Sequence, residues 1–130
     1  MPITALYAGL LGPLLVVLAV RVIDARRAAK VALGDGGQPL LLRRMRAHAN
    51  FAEYVPLALL LLALAESLAT FAAVLHAAGL ALVAGRAVHA FGVSQSPERL
   101  ILRVTGMALT LTAVLVLSAA CLFGAIRGLI

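Results

Sequence analysis

Arg46-Ala47-His48-Ala49-Asn50-Phe51-Ala52-Glu53-Tyr54-Val55-Pro56 runs without a break into the apolar block Leu57–Ala65. Charged and amide side chains therefore enter an apolar environment at the start of one helix. At about 100° per residue, Arg46, Asn50 and Glu53 fall within roughly 60° of one another on one helix face. Glu53 lies about 10 Å beyond Arg46 along the axis, at about 1.5 Å per residue. A carboxylate at that depth in a membrane costs about 2.5–3.5 kcal/mol on insertion scales unless a partner meets it. The stretch marks both a spanning segment and a candidate site.

The rest of the chain supports a membrane reading. It has 130 residues, of which 64% are apolar and 12% charged. Its mean hydropathy is +1.10. Soluble domains are closer to a quarter charged. We read a single all-α domain over residues 1–130, a four-helix transmembrane bundle. The uncharged run Ile3–Val20 begins the first span, which reaches about residue 24, with a polar continuation to Lys30. Gly34-Asp35-Gly36-Gly37-Gln38-Pro39 is the clearest turn. The second span covers about 40–66, with Pro56 inside it as a possible kink point. The third covers about 68–92. Ser94-Gln95-Ser96-Pro97 forms a turn, Pro97 opens the last helix with Glu98 in its first turn, and the fourth span covers about 98–126. The N-terminus lacks a basic region and a clear cleavage site, so the first span is expected to stay in place.

The formal net charge of +6 does not indicate nucleic acid, because the basic residues sit at the ends of apolar segments. Arg21, Arg26, Arg27, Lys30, Arg43, Arg44 and Arg46 flank the first loop; Arg86, Arg99 and Arg103 flank the third; only Arg127 lies on the other side. This ten-to-one split places the first and third loops in the cytoplasm and both termini outside.

The same topology gathers the polar residues at one end. Arg46, Asn50 and Glu53 come from the second helix, Arg86 and His89 from the third, and Arg99 and Arg103 from the fourth. The last two pairs have the three- and four-residue spacings of a shared helix face. A basic pocket with one carboxylate is expected there. Two bland readings stand beside it. Arginines at helix ends, Arg21, Arg26, Arg27, Arg43 and Arg44 foremost, also snorkel to headgroups. Arg46 and Glu53 also make sense as a structural ion pair with Arg86, and His89 as a packing residue. His76 is read as structural, and His48 as pointing away from the site. Cys121 is a small apolar residue that makes neither an internal disulfide nor a cysteine-based metal site.

At these residues the chain resembles the MAPEG superfamily, membrane-associated proteins in eicosanoid and glutathione metabolism. The resemblance rests on Arg46-Ala47-His48-Ala49-Asn50-Phe51-Ala52-Glu53 with Pro56, on Gly85-Arg86-Ala87-Val88-His89, and on Pro97-Glu98-Arg99. Ala5-Leu6-Tyr7-Ala8 and Gly34-Asp35-Gly36-Gly37 look more like its small bacterial branch. It implies a homotrimer in the bacterial inner membrane, with glutathione as co-substrate bound between subunits near the cytoplasmic face. It also implies a small lipophilic substrate arriving from the membrane lipid. Carried over by position, Asn50 and Glu53 meet the polar end of the peptide, and Arg86 and His89 line the site with Arg46. Arg99 matches the thiol-activating arginine, with Arg103 one turn on as its substitute. Arg26 is the candidate from the first helix, with Arg21 and Arg27 as alternatives. Two positions depart from several eukaryotic members: Ala49 stands where an arginine precedes the asparagine, and Val93 where a tyrosine follows the histidine.

Glutathione suits such a pocket chemically. Its carboxylates match arginine forks, its ammonium matches Glu53, and its thiol ionises more readily beside a cation. No Ser-His-Asp set, nucleotide loop or metal-ligand cluster offers a rival chemistry. A glutathione transferase or peroxidase and a non-enzymatic glutathione- or lipid-binding scaffold are the two functional expectations. A small multidrug transporter would need an ionisable residue in the first span, and Ile3–Val20 has none.

Overall fold

Each of the four apolar segments forms one long helix. The computed structural model describes residues 1–129. Helix α1 is Pro2–Ala29, α2 is Pro39–Ser67, α3 is Ala72–Ser94 and α4 is Leu100–Leu129. All four are long and apolar enough to cross a membrane. Even α3, at 23 residues, extends about 35 Å at about 1.5 Å per residue, beyond a hydrocarbon core of about 30 Å. The α-helix of α2 continues through Pro56 without a break.

The helices run antiparallel, with the first and third loops at one end and both described termini at the other. Arg43 ties the loop end together by donating to the Gln95 carbonyl at 3.3 Å. At the opposite end, Tyr7 of α1 donates to the backbone carbonyl of His76 on α3 at 3.0 Å. Its hydroxyl also lies 3.0 Å from Nδ1 of the same histidine. This agrees with the structural reading of His76, and Gly79 leaves room for the Tyr7 ring.

Helices α2 and α3 occupy the middle; α1 packs on both, and α4 packs on both from the other side, without touching α1 among the described residues. The core is a stripe from each helix: Leu11 and Leu18, then Phe51, Val55, Ala58 and Leu62, then Leu75 and Leu82, then Ala113 and Leu117. Large apolar side chains such as Leu80, Leu115 and Leu122 face outward, as a lipid-facing surface requires. The closest helix contact joins α3 to α4. A Cβ added at Gly106 would lie 2.5 Å from the His89 backbone nitrogen and 2.6 Å from the Gly85 carbonyl oxygen. Only glycine permits this approach, and it carries the polar residues of α3 against α4.

Two boundaries differ from the sequence expectation. The first loop behaves as read: Gly34, Gly36 and Gly37 have φ of 70°, 56° and 71°, a region that suits glycine, and Pro39 opens α2. Helix α3, however, begins at Ala72, because residues 68–71 form a connection in which Ala69 has φ 56°. Helix α4 begins at Leu100, so Pro97, Glu98 and Arg99 precede it. The Arg99 amide donates back to the Gly92 carbonyl at 3.2 Å, folding this segment onto the end of α3 before the helix starts.

Candidate functional site

The loop end of the bundle contains a cavity of about 180 Å³ between α2, α3 and the start of α4. Arg43, Arg46 and Asn50 reach it from α2, His89 and Val93 from α3, and Glu98 and Arg103 from the α3–α4 segment and α4. Asn50, His89 and Arg103 also border a second hollow, of about 410 Å³, whose other walls are Val104, Met107, Ala108 and Leu111. A polar cavity rich in arginine thus adjoins an apolar groove along α4, and three side chains belong to both.

These positions follow from helix periodicity. Arg43, Arg46 and Asn50 are spaced three and four residues apart on α2, so they share one stripe. Phe51 and Val55 lock the register of that stripe by inserting into the core, where they are 3% and 5% exposed. Arg103 and Met107 repeat the pattern on α4. Arg103 pairs with Glu98 at 2.8 Å, the one ion pair among the described residues. Both partners are substantially exposed, so the bridge contributes little to stability and leaves Arg103 free to exchange its partner.

Arg86 lies behind this cavity and is only 1% exposed. Its Nε donates to the Thr110 hydroxyl at 2.8 Å and one terminal nitrogen to Asn50 Oδ1 at 2.6 Å. The other terminal nitrogen is 3.5 Å from the Gly106 carbonyl and 3.6 Å from Met107 Sδ. The guanidinium carbon is 5.7 Å from the centre of the Tyr54 ring. A buried cation is thus held by neutral acceptors and an aromatic face.

The structure brings together Arg46, Asn50, His89 and Arg103 of the residues expected at the site. Arg86 joins them indirectly, through Asn50. Arg26, Glu53 and Arg99 do not border this cavity within one protomer. Arg26 donates to the Gly34 carbonyl at 2.6 Å and holds the first loop. Glu53 is exposed and pairs with neither Arg46 nor Arg86, so the structural ion pair weighed from the sequence is absent among the described residues. Arg99 is exposed and immediately precedes α4, where its carbonyl accepts the Arg103 amide at 3.1 Å, and it does not line the cavity that Arg103 borders. Sequence reasoning passed over Arg43, Glu98 and Thr110. The three-residue spacing of Arg43 from Arg46 was a usable signal; nothing local distinguished Thr110 from the other hydroxyls of α4.

The model of the MAPEG family matches residues 4–123. The chain belongs to the MAPEG family. It is also 35% identical over 115 residues to the inner membrane protein YecN of Escherichia coli K12, covering 88% of this chain and 86% of YecN. The YecN of Escherichia coli O6:H1 matches to the same extent. This MAPEG chain thus has relatives of its own size in the bacterial inner membrane. The family carries an association with glutathione, and the family match includes every residue that lines the cavity.

Proposed function

We propose that this MAPEG protein binds glutathione at the loop end of the bundle and transfers the glutathionyl group, through its sulfur, to lipophilic electrophiles, or uses the thiol to reduce lipophilic hydroperoxides. The observation that carries this reading is the junction of an arginine-rich cavity with an apolar groove through Asn50, His89 and Arg103. A charged tripeptide suits the first compartment and a lipophilic co-substrate the second, with the thiol at their boundary. A free thiol titrates near about 8.5, and a neighbouring cation lowers this. Arg103 is the cation at the boundary, and we assign it the role of stabilising the thiolate. In the transferase reaction the thiol proton passes to water, and the thiolate sulfur forms a bond to carbon while a leaving group such as halide departs; in the peroxidase reaction two glutathione molecules are oxidised to the disulfide while the hydroperoxide is reduced to alcohol and water. The arginine transfers no proton.

Within one subunit the polar cavity is smaller than the roughly 300–1,000 Å³ of ordinary ligand sites. Glu53, exposed on a spanning helix, is costly to leave against lipid without a partner. Both features support a homotrimer whose neighbouring subunit completes the site and supplies the arginines absent from this cavity, with Arg26 and Arg99 as candidates. The inner-membrane relatives support the same location here, and the charge asymmetry supports periplasmic termini.

Calorimetric titration of the detergent-solubilised protein with glutathione tests binding, and turnover of an aryl halide or lipid hydroperoxide tests chemistry. Mass measurement in detergent tests the trimer. Absence of binding rejects the proposal. Binding without turnover favours the second reading, a non-enzymatic glutathione- or lipid-binding protein. That reading has one observation in its favour: Val93 gives the cavity an apolar wall where several eukaryotic members have a tyrosine.

A further inference from the structure

Arg86 has five N–H donors and no acceptor, so every hydrogen-bonding partner must present a lone pair. Its orientation is determined from the α4 side. The Thr110 hydroxyl donates to the Gly106 carbonyl at 3.0 Å, which leaves its lone pair for Arg86 Nε. With Nε held there, a terminal nitrogen meets Asn50 Oδ1 at 2.6 Å. A carboxamide has one acceptor end and one donor end. If its oxygen is held by Arg86, its NH₂ group must face another way. Asn50 borders the polar cavity, and its Nδ2 has no protein acceptor among the described residues and is not sealed from solvent.

We propose that Arg86 is a positioning residue that locks the Asn50 carboxamide with its NH₂ group toward the cavity. Asn50 then acts on the ligand only as a donor, selecting carboxylate or carbonyl oxygens, and Arg86 does its work without touching the ligand. The choice of glutathione as probe rests on the functional reading above; the lock itself does not.

Asn50→Asp separates the two faces of this residue. The carboxylate keeps an oxygen for Arg86 and gives the buried guanidinium an anionic partner, so the fold should be at least as stable as the parent. The cavity, however, loses its N–H donor and gains an oxygen that repels a ligand carboxylate. The expected result is an unchanged or higher melting temperature together with glutathione affinity at least tenfold weaker. Asn50→Leu, which removes the acceptor and leaves Arg86 unsatisfied, should melt below the parent. Glutathione esterified at the glycyl carboxylate and an analogue amidated at the glutamyl α-carboxylate identify the group that Asn50 meets. The one lacking that group should bind parent and Asn50→Asp with similar affinity.

Asn50→Asp that binds glutathione as tightly as the parent overturns the donor orientation. Asn50→Asp that melts well below the parent, or fails to fold, overturns the Arg86 lock. If the parent binds no glutathione, the functional reading above falls. The melting order then decides the lock by itself, and Asn50→Leu as stable as the parent overturns it.

Discussion

Glu66 closes over the start of α1 through Thr4. Its Oε2 accepts both the Thr4 amide, at 2.8 Å, and the Thr4 hydroxyl, at 2.7 Å. Oε1 accepts the Ile3 amide at 3.0 Å. The first amides of a helix have no partner within it, and a carboxylate there also meets the positive end of the helix dipole. A residue at the end of α2 therefore caps α1 from outside, at the end of the bundle opposite the arginine-rich cavity.

Glu66→Ala should lower the melting temperature, with Glu66→Gln intermediate because it keeps one acceptor. Neither should change glutathione affinity. Tyr7→Phe, which removes only the hydroxyl facing His76, should cost about 0.5–1.5 kcal/mol, the usual net value of a hydrogen bond. Thermal unfolding in detergent paired with calorimetric titration checks all three. Loss of binding at unchanged stability would mean that the two ends of the bundle are coupled.

Gly106→Ala tests the approach of α3 and α4. The added methyl would press on the backbone of His89 and Gly85, neither of which can move aside as a flexible side chain can. Overpacking of this kind costs about 1–3 kcal/mol. It should also shift His89 and Arg86 relative to Arg103. We expect a lower melting temperature and weaker glutathione binding together. A variant as stable as the parent would show that the helices are less tightly apposed.

Arg103→Ala and Arg99→Ala distinguish the two candidates for thiol activation. Arg103 borders both compartments, so its removal should move the titration of bound glutathione back toward that of the free thiol while residual binding persists. The thiolate absorbs in the near ultraviolet, which allows its fraction to be followed against pH. Loss of the shift in Arg99→Ala instead would assign the role to Arg99, and within a trimer would point to a neighbouring subunit as its source.

The ten-to-one distribution of basic residues is the ground on which we propose that both termini face the periplasm. Reporter fusions after Ile130 and within Asp35–Pro39 should report periplasm and cytoplasm respectively. A cytoplasmic report at the C-terminus would invert the bundle and place the arginine-rich cavity outside.

Composition and periodicity determined that four apolar helices form, that the Gly34–Pro39 turn separates the first two, and that Arg46 and Asn50 share a stripe. Hydrophobic length and helical spacing are local properties, readable without neighbours. Which member of a stripe faces the cavity is not local. Asn50 and Glu53 lie on the same broad face by spacing, yet only Asn50 meets Arg86, because core packing of Phe51, Val55 and Ala58 sets the rotation of α2. Arg103 borders the cavity, whereas Arg99, whose amide bonds to Gly92 just before α4, does not. Arg86 finds Thr110, 24 positions away, because Gly85 and Gly106 let two helices touch. Each of these outcomes depends on the distance and rotation between packed helices, which only the tertiary structure decides.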